Sequence, residues 1–467
     1  MPADLVDVSA PSAGQLLARL RAGETSARAL AEHHLRRIEE VDGVLNAVVT
    51  VDPDDVLRQA DAADVRLRDG EPGALLGLPV TVKDSIDVRG VRTTGGSWAR
   101  RRHVPEEDAT AVARIRAAGA VVLGKTNVPE LCAAYETDNA VFGRTNNPHD
   151  VARTSGGSSG GEAAAVAAGL SPLGLGSDGG GSIRVPAHYC GVLGLRPTPG
   201  RVPETGQWPP SRASGYGDMV CLGPLARSTA DLALLLQVVS GPDLVDPYAV
   251  PVPLRDWRAV EVAALRVAVY WEDGVAEPTA GTVAAVREAA ERLRAAGAEV
   301  TVVRPPDTRE ATELFFAATG ASGGADLLAL VEGCDGRHAP QFARFLDLMT
   351  VTRPTSAEWF DVLQRILDFR SRLRRWTSGY DVVLTPVVAG PAPAHGRPPG
   401  AVADEDYFRF RGFNFTHTCS LAGLPAAAVP VGVEDGLPVG VQVVANPWRE
   451  DVALAVTGHL EAADRGR

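Results

Sequence analysis

Between Ser12 and Val49 the apolar positions recur at three- and four-residue steps. Leu16, Leu17 and Leu20 mark one stripe, and Leu30, His34, Leu35 and Ile38 a second. This spacing predicts two amphipathic helices, with Thr25 and Ser26 placed to cap the second. A third helix is predicted over Asp54–Arg68, and the short apolar run Leu78–Val82 predicts a strand that leads into Lys83. Ala109–Ala118 has helical spacing and Ala120–Leu123 reads as a strand. Further on, a long amphipathic helix over Thr282–Ala296 precedes a strand at Glu299–Val303, and Asp381–Leu384, Ala426–Val433 and Val439–Val444 read as late buried strands. Helices alternating with strands point to an α/β layered fold. No internal repeat or low-complexity linker divides the chain, so one large domain is expected.

Composition narrows the class. The 467 residues are 45% hydrophobic and 22% charged, as in a globular protein with a large core. A formal net charge of −12 argues against a nucleic-acid face or an anionic-membrane patch. No apolar stretch reaches the roughly 18 residues of a spanning helix. Met1 to Gly14 lacks the basic and apolar regions of a signal peptide, so a cytoplasmic location is expected. The five cysteines (Cys132, Cys190, Cys221, Cys334, Cys419) are scattered and form no C-x-x-C pair, and the nine histidines show no ligand spacing. Neither a disulfide framework nor a metal site is expected. Of the 46 basic residues only two are lysine, Lys83 and Lys125. Lysine can lose its proton when buried and arginine effectively cannot, which makes both positions suspect.

Thirteen of the 45 residues from Gly156 to Gly200 are glycine. Three local patterns compete to explain the chemistry here and nearby. Gly119 to Thr126 satisfies the phosphate-loop expression, but its middle residues are β-prone and Pro129 obstructs the helix that the loop requires, so Lys125 is read as structural. Gly156-Gly157-Ser158-Ser159-Gly160 matches the nucleophile elbow of α/β-hydrolases, yet the polar stretch Asn146–Ser155 supplies no strand to feed it. The third pattern is Ser177-Asp178-Gly179-Gly180-Gly181-Ser182, behind a strand candidate at Leu173–Leu175. Successive glycines let backbone N–H groups converge on one point, and such a nest beside a serine can hold an oxyanion.

The whole run from Thr154 to Val202 resembles the signature of the amidase signature family of serine hydrolases. The segments Leu78–Val88, Gly124–Leu131, Leu421–Gly432 and Gly436–Gln442, and the N-terminal helices, are similar to the family too, whereas Leu244 to about Trp376 is only weakly similar. The resemblance implies a single domain over residues 1–467 with a mixed, twisted β-sheet covered by helices. Its N-terminal helices would occupy about residues 1–70, its signature core about 71–243, a variable helical segment about 244–376 and a C-terminal core segment about 377–467. It also implies a triad: Ser182 as nucleophile, Ser158 as a bridging serine behind a cis peptide bond, and Lys83 as base. Backbone amides from Gly179, Gly180 and Gly181 to Ser182 would hold the oxyanion. Two departures are visible. Gly179 stands where the family usually has a larger residue, and Arg196 where it often has lysine, so position 196 needs only a cation.

The expected activity is cleavage of a carboxamide C–N bond through a serine acyl-enzyme, releasing ammonia or an amine and a carboxylic acid. Lysine can serve as the base only if burial keeps it neutral. The implied partner is a small-molecule amide, without cofactor, metal, nucleic acid or membrane, and the candidate assembly is a homodimer. Tyr407, Phe408, Phe410, Phe413, Phe415 and Trp208 are read first as core and second as the lining of an apolar acyl pocket. Two rival functions use the same chemistry. One is the glutaminase subunit of a tRNA-dependent amidotransferase, and the other an amide-forming enzyme whose acyl intermediate is intercepted by an amine.

Overall fold

The structure is a computed structural model that describes residues 5–211, 217–351, 353–397 and 411–465. The N-terminal stripes form helices α1 (Ala13–Arg21), α2 (Ala27–Leu45) and α3 (Pro53–Arg68). Ser12 closes α1 with a capping box to Gln15, and the Ser26 side chain accepts from the Ala29 N–H to start α2. Strand β1 (Val48–Thr50) lies between α2 and α3.

The signature region builds β2 (Pro79–Lys83), α4 (Thr110–Ala117), β3 (Val121–Thr126), α5 (Gly160–Ala167), β4 (Leu173–Asp178), α6 (Arg184–Cys190), β5 (Leu193–Arg196), β6 (Cys221–Ala226) and α7 (Thr229–Val239). The variable segment contributes β7 (Arg266–Val269), α8 (Ala280–Ala295), β8 (Glu299–Val302) and four helices, α9 (Ala311–Thr319), α10 (Ala325–Leu330), α11 (Pro340–Val351) and α12 (Ser356–Thr377). The chain closes through β9 (Val382–Pro386), α13 (Asn414–Ala422), β10 (Ala426–Glu434), β11 (Leu437–Ala445) and α14 (Glu450–Arg465).

The described strands join one 11-stranded sheet in the order β1-β3-β2-β4-β6-β5-β10-β11-β9-β7-β8. It is mixed: β2 runs parallel to β3 and β4, and β7 parallel to β8 and β9, while the centre is antiparallel. Every residue of β2, β3, β4, β6, β9 and β11 is buried, so these strands carry apolar residues on both faces rather than alternating with exposed polar ones. Helix α5 is buried along its whole length, its sequence being small and apolar apart from Glu162.

Strands β3 and β4 run past the ends expected from hydrophobicity, to Thr126 and Asp178. Their polar ends stay in the sheet because buried partners satisfy them; Thr126 Oγ1, for example, donates to Glu162 Oε2 at 2.6 Å. Gly124, Lys125 and Thr126 therefore lie within a strand, not in a loop open to phosphate. Lys125 Nζ reaches Thr93 Oγ1 at 3.0 Å and the Ile86 carbonyl inside the core. No helix among the described residues is long and apolar enough to cross a membrane.

Candidate active site

Parallel strands β2 and β4 are neighbours and end at the same edge of the sheet, Thr81 pairing with Gly174 and Val82 with Leu175. Lys83 is the last residue of β2, and Ser177 and Asp178 are the last of β4. The carboxyl ends of parallel strands are where such sheets open crevices. Lys83 is fully buried, and its Nζ lies 2.7 Å from Ser158 Oγ, 2.9 Å from Ser177 Oγ and 3.3 Å from the Ser177 carbonyl. Burial pushes the Lys83 amine below its usual range, and nearby Cys132, Asp178 and Glu162 oppose that shift only in part.

Ser158 sits in the loop that feeds α5, behind a cis Gly157–Ser158 peptide bond. Ser182 sits between β4 and α6, and the Ser159 N–H donates to the Ser182 carbonyl at 3.0 Å, which fastens one serine loop to the other. The Ser182 loop is shaped by Asp178. Its carboxylate accepts from the Gly181 N–H at 2.8 Å and the Ile183 N–H at 3.1 Å. Burial alone would raise the Asp178 pKa, but the guanidiniums of Arg184 and Arg196 and these amides hold it well below the usual carboxylate range. Gly181 has φ of 134°, and a Cβ there would meet Thr416 Oγ1 at 2.8 Å, so only glycine fits.

The expected oxyanion set is thereby trimmed. The Gly181 amide is turned to Asp178, and the amides of Gly179, Gly180 and Ser182 are the ones without an acceptor among the described residues. Ser182 Oγ likewise makes no hydrogen bond among them.

Ser158, Ser177, Gly179, Gly180 and Ser182 line the floor of a cavity of about 300 Å³. Its walls are apolar: Tyr135, Phe315, Phe316, Leu327, Leu330 and Phe345. Among the described residues lining it, Asp326 is the only charged one. Among the described residues the aromatic lining comes from the variable segment and Tyr135, not from Phe413, Phe415 or Trp208. Trp208 instead packs beneath Arg100 and over Gly95, and Phe413 and Phe415 are buried in the core. Tyr407, Phe408 and Phe410 lie outside the described residues.

With this geometry in place, comparison with known proteins is decisive. The Amidase family profile matches residues 29–454. The chain belongs to the amidase family. Among curated relatives, a glutamyl-tRNA(Gln) amidotransferase subunit of Roseiflexus sp. (strain RS-1) is 36% identical over 464 residues, covering 94% of this chain and 93% of that protein. Among solved structures, a protein from a vestigial complex bearing on the evolutionary origins of an s-triazine catabolic enzyme superposes with a TM-score of 0.87 at 34% identity, over 97% of this chain and 98% of that one. A bacterial aryl acylamidase of the amidase signature family gives 0.88 at 26% identity, over 97% and 96%.

Several residues of this amidase's site escaped sequence reasoning. Ser177 gives Lys83 a second hydroxyl; the only signal was its place at the head of the glycine nest. Glu162, fully buried beneath Lys83, accepts from Thr81 and Thr126, and burial raises its pKa to about 7. Gly174 makes room for it, since a Cβ there would collide with the Glu162 carboxylate. Tyr135 donates to the Gly180 carbonyl at 2.9 Å and lies 2.7 Å from His417 Nε2, propping the glycine nest from the far side.

Proposed function

We propose that this amidase hydrolyses a neutral carboxamide with an apolar substituent through an acyl-enzyme on Ser182. The observation that carries the reading is a fully buried lysine amine 2.7 Å from Ser158 Oγ at the floor of an apolar cavity that Ser182 also lines. Ser182 Oγ attacks the carbonyl carbon while Ser158 takes its proton and passes its own to neutral Lys83. The tetrahedral oxygen gathers the amides of Gly179, Gly180 and Ser182. Removing one such donor costs about 10²–10³ in rate. The relay then runs backwards, the proton reaching the leaving nitrogen as the C–N bond breaks. Water repeats the cycle on the ester, its proton going through Ser158 to Lys83 and back to Ser182. The Ser182 hydroxyl unpaired here acquires its partner in the substrate complex, as apo catalytic bonds commonly do.

The cavity walls support the substrate class. A glutamine substrate brings a carboxylate that needs a cation, and the described lining offers none, only the carboxylate of Asp326. The similarity to the glutamyl-tRNA(Gln) amidotransferase protein favours the second reading, a glutaminase that works within a complex. Ammonia or amine release from aryl and alkyl carboxamides, measured beside glutamine, separates the two. Glutamine-only turnover, or turnover that appears only with co-purified partners, selects the second. The mechanism itself is tested by Lys83→Met and by a fluorophosphonate trap. The expected results are a loss of about 10²–10⁴ in kcat with the fold retained, and labelling of Ser182. Labelling confined to Ser158 refutes the proposed roles.

A further inference from the structure

The loop between α10 and α11 carries Cys334 and His338, one helical turn apart in sequence, and lays both against Glu130 of the signature core. The three donor atoms lie within 4.8 Å of one another. Cys334 Sγ is 3.6 Å and Ser97 Oγ 2.8 Å from Glu130 Oε1, and His338 Nδ1 is 2.8 Å from Glu130 Oε2. Ser97 Oγ is also 3.5 Å from Cys334 Sγ. Glu130 is 0% exposed and Cys334 1%. None of these residues takes part in the hydrolytic chemistry proposed for Ser182.

We propose that Glu130, Cys334 and His338 form a binding site for one divalent cation of the zinc class. One thiolate, one imidazole and one carboxylate make the mixed sulfur, nitrogen and oxygen set that suits zinc. In a tetrahedral site with Zn–S near 2.3 Å and Zn–O near 2.0 Å, sulfur and oxygen ligands stand about 3.5 Å apart, close to the 3.6 Å between Cys334 and Glu130. His338 meets the other carboxylate oxygen, Oε2, so cation binding requires the Glu130 carboxylate and the imidazole to shift until one oxygen faces both donors. The Ser97 hydroxyl or a water fills the fourth position. On binding, the Cys334 thiol proton leaves to solvent and any proton on His338 Nδ1 moves to Nε2. Thiolate and carboxylate then neutralise the cation, so the buried cluster carries no net charge.

The site's place gives it a consequence. Leu131 follows Glu130 and lines the cavity, and Leu327 and Leu330 of α10 and Phe345 of α11 form the facing wall. A cation here staples the variable segment to the core and sets the width of the pocket.

The test uses full-length protein stripped with a chelator and titrated with Co²⁺. One equivalent should produce visible tetrahedral bands and a near-ultraviolet thiolate-to-cobalt charge-transfer band. Cys334→Ser should abolish the charge-transfer band. His338→Gln should keep it but weaken binding by at least about 100-fold, more than loss of an outer-shell partner. Zn²⁺ should displace Co²⁺ and raise Tm in the wild type but not in either variant. Absence of saturable binding, or a charge-transfer band that survives Cys334→Ser, overturns the proposal and leaves the cluster a hydrogen-bonded latch. Should Cys334→Ser fail to fold, unchanged Co²⁺ affinity in His338→Gln, whose side chain is at the edge of the site, overturns it equally.

Discussion

Two buried arginines serve the Asp178 carboxylate, and replacing each by lysine should have opposite outcomes. Arg184 uses its whole fork: Nε donates to Asp178 Oδ2 at 2.9 Å, and Nη2 to Asp178 Oδ1 at 2.9 Å and Ser420 Oγ at 2.8 Å. Its Nη1 donates to Gln442 Oε1 at 2.5 Å and the Thr416 carbonyl at 3.3 Å. A lysine has one nitrogen with three protons, so Arg184→Lys strands at least two of these acceptors. Hydrogen bonds to charged groups are worth about 1.5–3 kcal/mol each, which makes the loss about 3–6 kcal/mol. Arg196 works through Nη1 alone, donating to the Asp178 and Met219 carbonyls at 2.7 Å each and to Cys221 Sγ at 3.1 Å. Its Nε and Nη2 are buried without hydrogen-bond partners among the described residues. Arg196→Lys removes those two orphaned donors, each costing about 1–3 kcal/mol, and offsets that gain with a shorter reach to the carbonyls. The net change should stay within about 1 kcal/mol. Urea unfolding followed by tryptophan fluorescence, with equal m-values, reads both numbers. Turnover should fall in Arg184→Lys, because the same carboxylate orients the amides beside Ser182, and persist in Arg196→Lys. Equal destabilisation by the two substitutions would refute the reasoning.

Three other outcomes are expected. Burial holds His34 and His417 at about 3 and His188 at about 4, against about 6.5 unfolded; at these sites the unfolded chain binds more protons below pH 6.5, so each contributes a loss of stability from there towards pH 4, against the opposite contribution of Glu162, whose carboxyl burial raises to about 7. His188 accepts the Gly440 N–H at Nδ1, so His188→Gln should remove one such contribution, and a difference in urea midpoint between wild type and variant that does not change with pH in this window contradicts the assignment. Ser177→Ala deprives the Lys83 ammonium of an acceptor, which lowers its pKa further; the acidic limb of kcat/KM should move to lower pH, and an unmoved limb would exclude this role for Ser177. Gly161→Ala drives a Cβ into the Asn127 backbone, and overpacking should cost about 1–3 kcal/mol in urea unfolding; wild-type stability would show that α5 can shift.

The legible parts of this chain were those where neighbours in sequence are neighbours in function. Helical stripes and apolar strand runs located most elements, and the glycine-serine run located Ser158 and Ser182. Lys83 stood out because lysine is so scarce here. The illegible parts depend on distant pairing. The aromatic wall comes from α9 and α11, whose Phe315 and Phe345 look like ordinary core residues until the helices dock over the cavity. Glu130 meets Cys334 and His338 across 204 and 208 residues, a distance at which no ligand spacing can be read. Strand β3 hides its polar end because Glu162, on a different element, satisfies Thr126, and β4 because Lys83 and Arg184 satisfy Ser177 and Asp178. Trp208 was a reasonable candidate for the cavity, but its ring is spent on Gly95 and Arg100.

Both lysines end in the interior, Lys83 and Lys125 each 0% exposed. The folded protein therefore presents side-chain cations at its surface only as guanidiniums and imidazoles, with no side-chain primary amine. Succinimidyl esters and aldehyde crosslinkers, which couple to lysine on nearly any other protein, have no side-chain target on this one. A small acylating reagent that does modify a lysine in the native state reports entry through the cavity to Lys83, and modification of Lys125 reports opening of the sheet. The scarcity of one amino acid turns amine labelling into a two-channel gauge of access and unfolding.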